Sequence, residues 1–136
     1  MALIAAEAAS EKKAEDIVAI EVANLLVVTD YFVICTGLND PQVRTIADEV
    51  EDRLNERADI KPIGREGRQE GRWILLDFAD IVVHVFQPDE REFYRLEKLW
   101  GEAPRLKLPE SFNAPAIRLG DTRQDAPGET VADSAE

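Results

Sequence analysis

Apolar residues along this chain recur with two different periods, and the switches between them outline the elements. Residues 2 to 15 hold mainly Ala, Glu and Lys with no Gly or Pro, a composition of strong helix formers that predicts a first helix. From Asp16 to Val22 the chain is rich in Ile, Val and Ala, and the β-branched content predicts a strand. Past Asn24, the apolar run Leu25 to Val28 predicts a short strand at an exposed edge, and Tyr31 to Thr36 predicts another, ended by Gly37.

Asp40 followed by Pro41 marks a helix start, because the carboxylate can accept a first-turn N–H and proline suits the first helical position. Val43, Ile46, Ala47, Val50 and Leu54 then recur at helical spacing, so the helix runs to about Arg57. Its other face carries Asp48, Glu49, Glu51, Asp52 and Glu56 against Arg44, Arg53 and Arg57, and reads as a solvated face. Ile60 to Ile63 predicts a short strand, at an edge because Pro62 cannot donate to a ladder. The glycines of Gly64 to Arg72 predict a flexible hairpin loop. A phosphate cradle would have to run into a helix N-terminus, and here a strand follows.

Trp73 to Phe78 and Ile81 to Phe86 flank Ala79 and Asp80, the pattern of a tight hairpin. Both strands are largely apolar on both faces, which places them at the centre of a sheet covered on two sides. Pro88 and Asp89 open a last helix in which Phe93, Leu96 and Trp100 recur, with Phe93 and Leu96 facing inward and Gly101 as the stop. Beyond it the chain turns rich in Pro and small polar residues, so residues 106–136 are expected to be an irregular or disordered acidic tail after a domain spanning 1–105.

Composition narrows the function. A chain of 136 residues with 45% hydrophobic content holds one core and one domain. Its net charge of −12 repels phosphate backbones and anionic lipid, so a partner on an RNA-rich particle should be a basic protein surface. The apolar start is broken by Glu7 and has no basic lead, and no run approaches the roughly 18 apolar residues of a membrane span. A soluble cytoplasmic protein is expected, without direct nucleic-acid specificity or membrane attachment.

Candidate chemistry is sparse. Cys35 sits in an apolar run and reads as a buried thiol. His84 is the only histidine, and one His with one Cys leaves too few soft ligands for a metal. Asp77 and Asp80 flank the hairpin turn, where aspartate commonly caps backbone N–H groups. With Ala79 and Asp80 as loop residues, Asp77 pairs with Val82, Leu75 with His84 and Trp73 with Phe86, and all six share one sheet face. Such a face is either core with a satisfied polar pair or a recognition patch with an aromatic anchor.

Several signatures also resemble one family. Asp30 to Ile34 followed by Thr36 and Gly37, then Gln42, then Glu70, Gly71 and Trp73, then Leu75, Asp77, Asp80, Val82, Val83, His84 and Phe86, and finally Arg91, Tyr94, Leu96, Glu97, Leu99 and Trp100 follow the Iojap or ribosomal silencing factor pattern in order. Leu38, Asn39 and Asp40 depart from the small polar residues of many relatives, and the tail is longer than the family core requires.

The resemblance implies an α/β domain with a mixed sheet flanked by helices, in a nucleotidyltransferase-like topology. The catalytic motif of those enzymes is missing, since no Asp-x-Asp pair occurs. It also implies a cofactor-free non-enzyme, a homodimer when free, that binds the large ribosomal subunit through large-subunit ribosomal protein fourteen, blocks subunit joining and represses translation. The alternatives are a large-subunit assembly adaptor and, further down the order, a metal-dependent nucleotidyltransferase-like enzyme with Asp77, Asp80 and His84 around a metal and nucleotide. Trp73, Asp77 and His84 on the hairpin, with Tyr94, Glu97 and Trp100 on the final helix, are the candidate protein-binding residues, combining aromatic anchors with acids that orient a basic partner.

Overall fold

The computed structural model describes residues 1–23 and 29–113, so the strand expected at Leu25 to Val28 and the chain from 114 onward lie outside the described residues. Helix α1 (Ala2–Glu11) ends earlier than its composition suggested. A turn through Lys12 and Lys13, the latter at φ 68°, hands the chain to strand β1 (Glu15–Glu21). Strand β2 (Tyr31–Thr36) follows antiparallel to it, with Ile20 opposite Phe32.

Helix α2 (Asp40–Ala58) starts one residue earlier than Asp40 as cap would allow. Asn39 is the cap, its Oδ1 accepting from the Gln42 N–H at 2.9 Å, which leaves the Asp40 carboxylate free to accept from Gln87. Gly37 permits the helix to sit close to the strand before it, because a Cβ there would lie 2.9 Å from Val43 Cγ2.

The edge strand falls at Gly64–Glu66 (β3), not at Ile60 to Ile63. Only Ile63 of the expected segment bonds to the sheet, through its N–H to the Asp77 carbonyl at 2.7 Å. The glycine-rich stretch therefore contributes its first three residues to a hairpin with β4 (Trp73–Asp77). Strand β5 (Ile81–Phe86) pairs with β4 in the expected register, Trp73 opposite Phe86, Leu75 opposite His84 and Asp77 opposite Val82. The five strands lie in the order β1-β2-β5-β4-β3, and only the pair β2–β5 is parallel.

Helices α1 and α2 cover one face of this mixed sheet. The small side chains of Ala5, Ala6 and Ala9 let α1 lie close, while Val43, Ile46, Val50 and Leu54 of α2 meet Val33, Ile74, Leu76, Val83 and Val85 of the strands. Each fully buried Val, Leu or Ile here contributes roughly 1.5–3 kcal/mol. The opposite face carries a smaller cluster of Ile20, Val22, Ile34, Phe86 and Ala103, capped by Leu96 and Trp100.

The last helix is two short ones, α3 (Pro88–Tyr94) and α4 (Leu96–Leu99), separated by Arg95 in the left-handed region at φ 49°. The chain then crosses back over the β1 edge. The Glu21 N–H donates to the Pro104 carbonyl at 2.7 Å and the Leu106 N–H to the Ala19 carbonyl at 2.8 Å. Leu106, Leu108 and Phe112 pack on the main core, so residues 106–113 are docked, with one 3-10 turn at Glu110–Phe112. The sparse apolar residues of this stretch had not announced that role. No helix among the described residues is long and apolar enough to cross a membrane.

Candidate docking face

Strand alternation puts Trp73, Leu75 and Asp77 of β4 and Val82, His84 and Phe86 of β5 on the face away from α1 and α2. The returning segment from Leu96 to Ala103 covers the β1–β2 side of that face, leaving Leu75, Asp77 and Val82 half-exposed and outside both apolar clusters. Two-sided cover thus extends over the Ile20 end of β1 and is partial for the hairpin.

An aromatic cluster forms the boundary between the covered and open halves. Tyr94 lies 4.6 Å from Trp73 between ring centroids, Trp73 stacks on Phe86 at 4.8 Å, and Phe32 meets His84 edge-on at 4.9 Å and Trp100 at 5.9 Å. Trp73 Nε1–H donates to His84 Nδ1 at 3.1 Å. The polar pair that bonds on this face is therefore Trp73 with His84, and the Asp77 Oδ1 instead accepts from the Ala79 N–H at 2.9 Å. Burial pushes the His84 imidazole down to about 4, so it is neutral near pH 7 with its proton on Nε2. That Nε2 has no hydrogen-bond partner among the described residues.

The two short helices divide the remaining candidates. Tyr94 joins the aromatic cluster, but Glu97 turns to Arg91, whose Nε and Nη2 donate to Glu97 Oε2 at 2.9 and 2.6 Å and whose Nη1 donates to Thr36 Oγ1 at 2.8 Å. Partial burial pushes the Glu97 carboxyl up, and the hydrogen bonds and charge of Arg91 more than offset this, leaving it below its usual range. Continuous helical spacing would have made Tyr94 and Glu97 neighbours; the reversal at Arg95 sends them to different partners.

The same reversal overturns the inward assignment of Phe93, which is 79% exposed beside Tyr94 at 48% and Leu99 at 73%. Leu96 alone of the expected pair turns inward. Phe93 and Leu99 are exposed apolar groups on this segment that sequence reading did not assign to docking, whereas Leu75 and Val82 are half-exposed on the strand face it had read as core or recognition patch. No signal short of the helix break could have revealed the first two.

Cys35 is fully buried, its thiol pushed up to about 12 by desolvation. Among the described residues no three His, Cys, Asp or Glu side chains cluster as a metal site needs.

The described chain is a mixed α/β domain with an aromatic-rimmed, half-exposed face on its sheet. The family model described as "Ribosomal silencing factor during starvation" matches residues 1–134. A relative from Bacillus subtilis, named ribosomal silencing factor RsfS, is 48% identical over 110 residues, which is 81% of this chain and 92% of the relative. Crystal structures of proteins from Chromobacterium violaceum (36% identity, TM-score 0.69, covering 72% of this chain and 81% of that one) and Bacillus halodurans (41%, 0.67, 77% and 94%) share the fold. This chain belongs to the ribosomal silencing factor family.

Proposed function

We propose that this chain binds the large ribosomal subunit through large-subunit ribosomal protein fourteen, using the open half of the β4–β5 face, and sterically prevents the small subunit from joining. Translation is then repressed in the cytoplasm without a chemical step. The observation that carries this reading is the half-exposed strip of Leu75, Asp77 and Val82 beside the Tyr94–Trp73 ridge, in a member of a family named for ribosome silencing. An apolar strip supplies desolvated area, and the carboxylate of Asp77 supplies orientation toward a basic protein. The net charge of −12 favours such a protein over the surrounding RNA as the primary contact.

Subunit reassociation on sucrose gradients tests this. Saturating protein should leave the two subunits separate, with this chain co-sedimenting with the large one. Normal joining with the chain still bound would overturn the silencing mechanism in favour of an assembly adaptor. An absence of binding to purified large-subunit ribosomal protein fourteen would overturn the choice of partner.

A further inference from the structure

A cleft of about 780 Å³ opens where the carboxyl ends of β2 and β5 meet the start of β1, the α3–α4 segment and the returning chain. Its position has a topological cause. The parallel strands β2 and β5 are followed by helices that leave to opposite faces, α2 onto the main core and α3–α4 onto the other side. Such a switch point opens a crevice outside the strand ends, where open α/β sheets hold ligands.

Two of the five left-handed non-glycine residues among the described residues lie at its rim. Asp16 at φ 51° and Arg95 at φ 49° both line the cleft, and β1 carries a register irregularity between Glu15 and Val18 there. Left-handed non-glycine residues and bulges each carry a cost that the surrounding structure must offset, and they gather at sites that aim side chains.

The charges in the cleft are sorted. Arg91 is engaged by Glu97 and Arg95 by Glu92, which removes two cations and two carboxylates. Lys98 and Arg105 line the cleft with no carboxylate within ion-pair distance among the described residues, although Arg105 lies near enough to Glu97 to help hold that carboxyl down. Glu15 and Asp16, on β1, are the remaining acids, likewise outside any ion pair among the described residues. A compact anion would meet those carboxylates as repulsion and leave most of the volume empty. A ligand with an anionic end and a hydroxyl- or amine-bearing end satisfies both sets, and the volume suits a small organic molecule.

We propose that this cleft binds a nucleotide, its phosphates on Lys98 and Arg105 and its sugar hydroxyls or base amino groups donating to Glu15 and Asp16. The site lies apart from the Leu75–Asp77–Val82 strip but shares α3–α4 with the Tyr94 ridge, so occupancy would bear on the docking face.

Calorimetric titration of the full chain with ADP and GDP tests this, with adenosine and inorganic phosphate as comparisons and no ribosome present, so the outcome stands apart from the silencing reading. At least one nucleoside diphosphate should bind saturably at one site, more tightly than either comparison. The exposed double variant Lys98→Ala/Arg105→Ala should weaken it about tenfold or more with an unchanged circular dichroism spectrum. Glu15→Gln/Asp16→Asn should weaken it too. If that variant instead tightens binding, the acids only repel and the two-ended site is wrong. Absence of saturable binding at millimolar nucleotide, or inorganic phosphate binding as well as the nucleotides, would equally overturn the proposal.

Discussion

His84 carries a titration that stability should report. Its folded value near 4 lies below the ordinary 6.5, so as pH falls the unfolded chain takes the proton first. The stabilisation is complete above about pH 6.5 and is lost between there and about 4, to a limit of about 3 kcal/mol. Urea midpoints of wild type and His84→Gln should diverge above that window and converge within it; parallel pH profiles would show that the imidazole is not desolvated. Glu97 is a second case in which position decides meaning. Its partner Arg91 is mostly buried, so Glu97→Lys should lower stability by about 1–2 kcal/mol after allowance for partial exposure. Asp77 behaves differently. Asp77→Asn can keep the bond to the Ala79 N–H while removing the charge, and should weaken large-subunit binding several-fold with thermal melting close to wild type. Binding unchanged in both Asp77→Asn and Asp77→Lys would remove this carboxylate from the docking surface.

At the scale of elements, the returning chain after α4 is the part whose contribution most exceeds its regularity. It has no strand or α-helix from Glu102 to Asn113, yet it shields the outer edge of β1 that would otherwise present unpaired backbone groups. Asn113 completes the shield, its side chain accepting from the Ile17 N–H at 2.7 Å and donating to the Ile17 carbonyl at 2.8 Å, as a neighbouring strand would. Asn113→Ala should cost about 1–2 kcal/mol in urea unfolding, because both groups of Ile17 lose a partner. Truncation after Gly101 removes Ala103, Leu106, Leu108 and Phe112 as well and should destabilise severely, whereas truncation after Asn113 should leave melting and large-subunit binding unchanged. Weakened binding in that second variant would give residues 114–136 a role in docking.

For the whole molecule, the acidic surface is less free than its charge suggests. On α2, Glu49 pairs with Arg53, Glu51 with Arg65 and Asp48 with Arg68, the last two tying the β3–β4 hairpin to the helix. Exposed pairs of this kind contribute about 0–1 kcal/mol each and hold the hairpin more by number than by strength. They also occupy carboxylates that a basic partner would otherwise use, which favours the hairpin face over α2 as the docking surface. Since the net charge acts mainly on encounter, the rate of association with large subunits should fall as salt rises while dissociation changes little. The family resemblance implies a homodimer when free, and we propose that light scattering at micromolar concentration returns twice the mass of 15.2 kDa; a monomer mass would exclude it.

The sequence by itself determined whatever follows from period and from local chemistry. The apolar run from Tyr31 predicted β2, and the two-residue loop of Ala79 and Asp80 set the β4–β5 register, where a slip of one residue would turn Ile74 and Leu76 out of the main core. The apolar stripe from Val43 to Leu54 determined α2, and the family pattern was legible because its residues lie in these regular elements. What lay outside was decided by contacts distant in the chain. The helix after β5 breaks at Arg95 although its spacing is continuous, and that reversal carries Leu96 and Trp100 back onto the sheet while Phe93 and Leu99 stay exposed. The strand near Ile60 moved to Gly64–Glu66, where the backbone pairs with Leu75 to Asp77, since pairing outweighs β propensity at an edge. Periodicity assigns a residue to a face, but only tertiary packing decides whether that face is covered. Residues 96–113 cover the β1–β2 side because their backbone and Asn113 bond along β1, and Leu75, Asp77 and Val82 are half-exposed among the described residues.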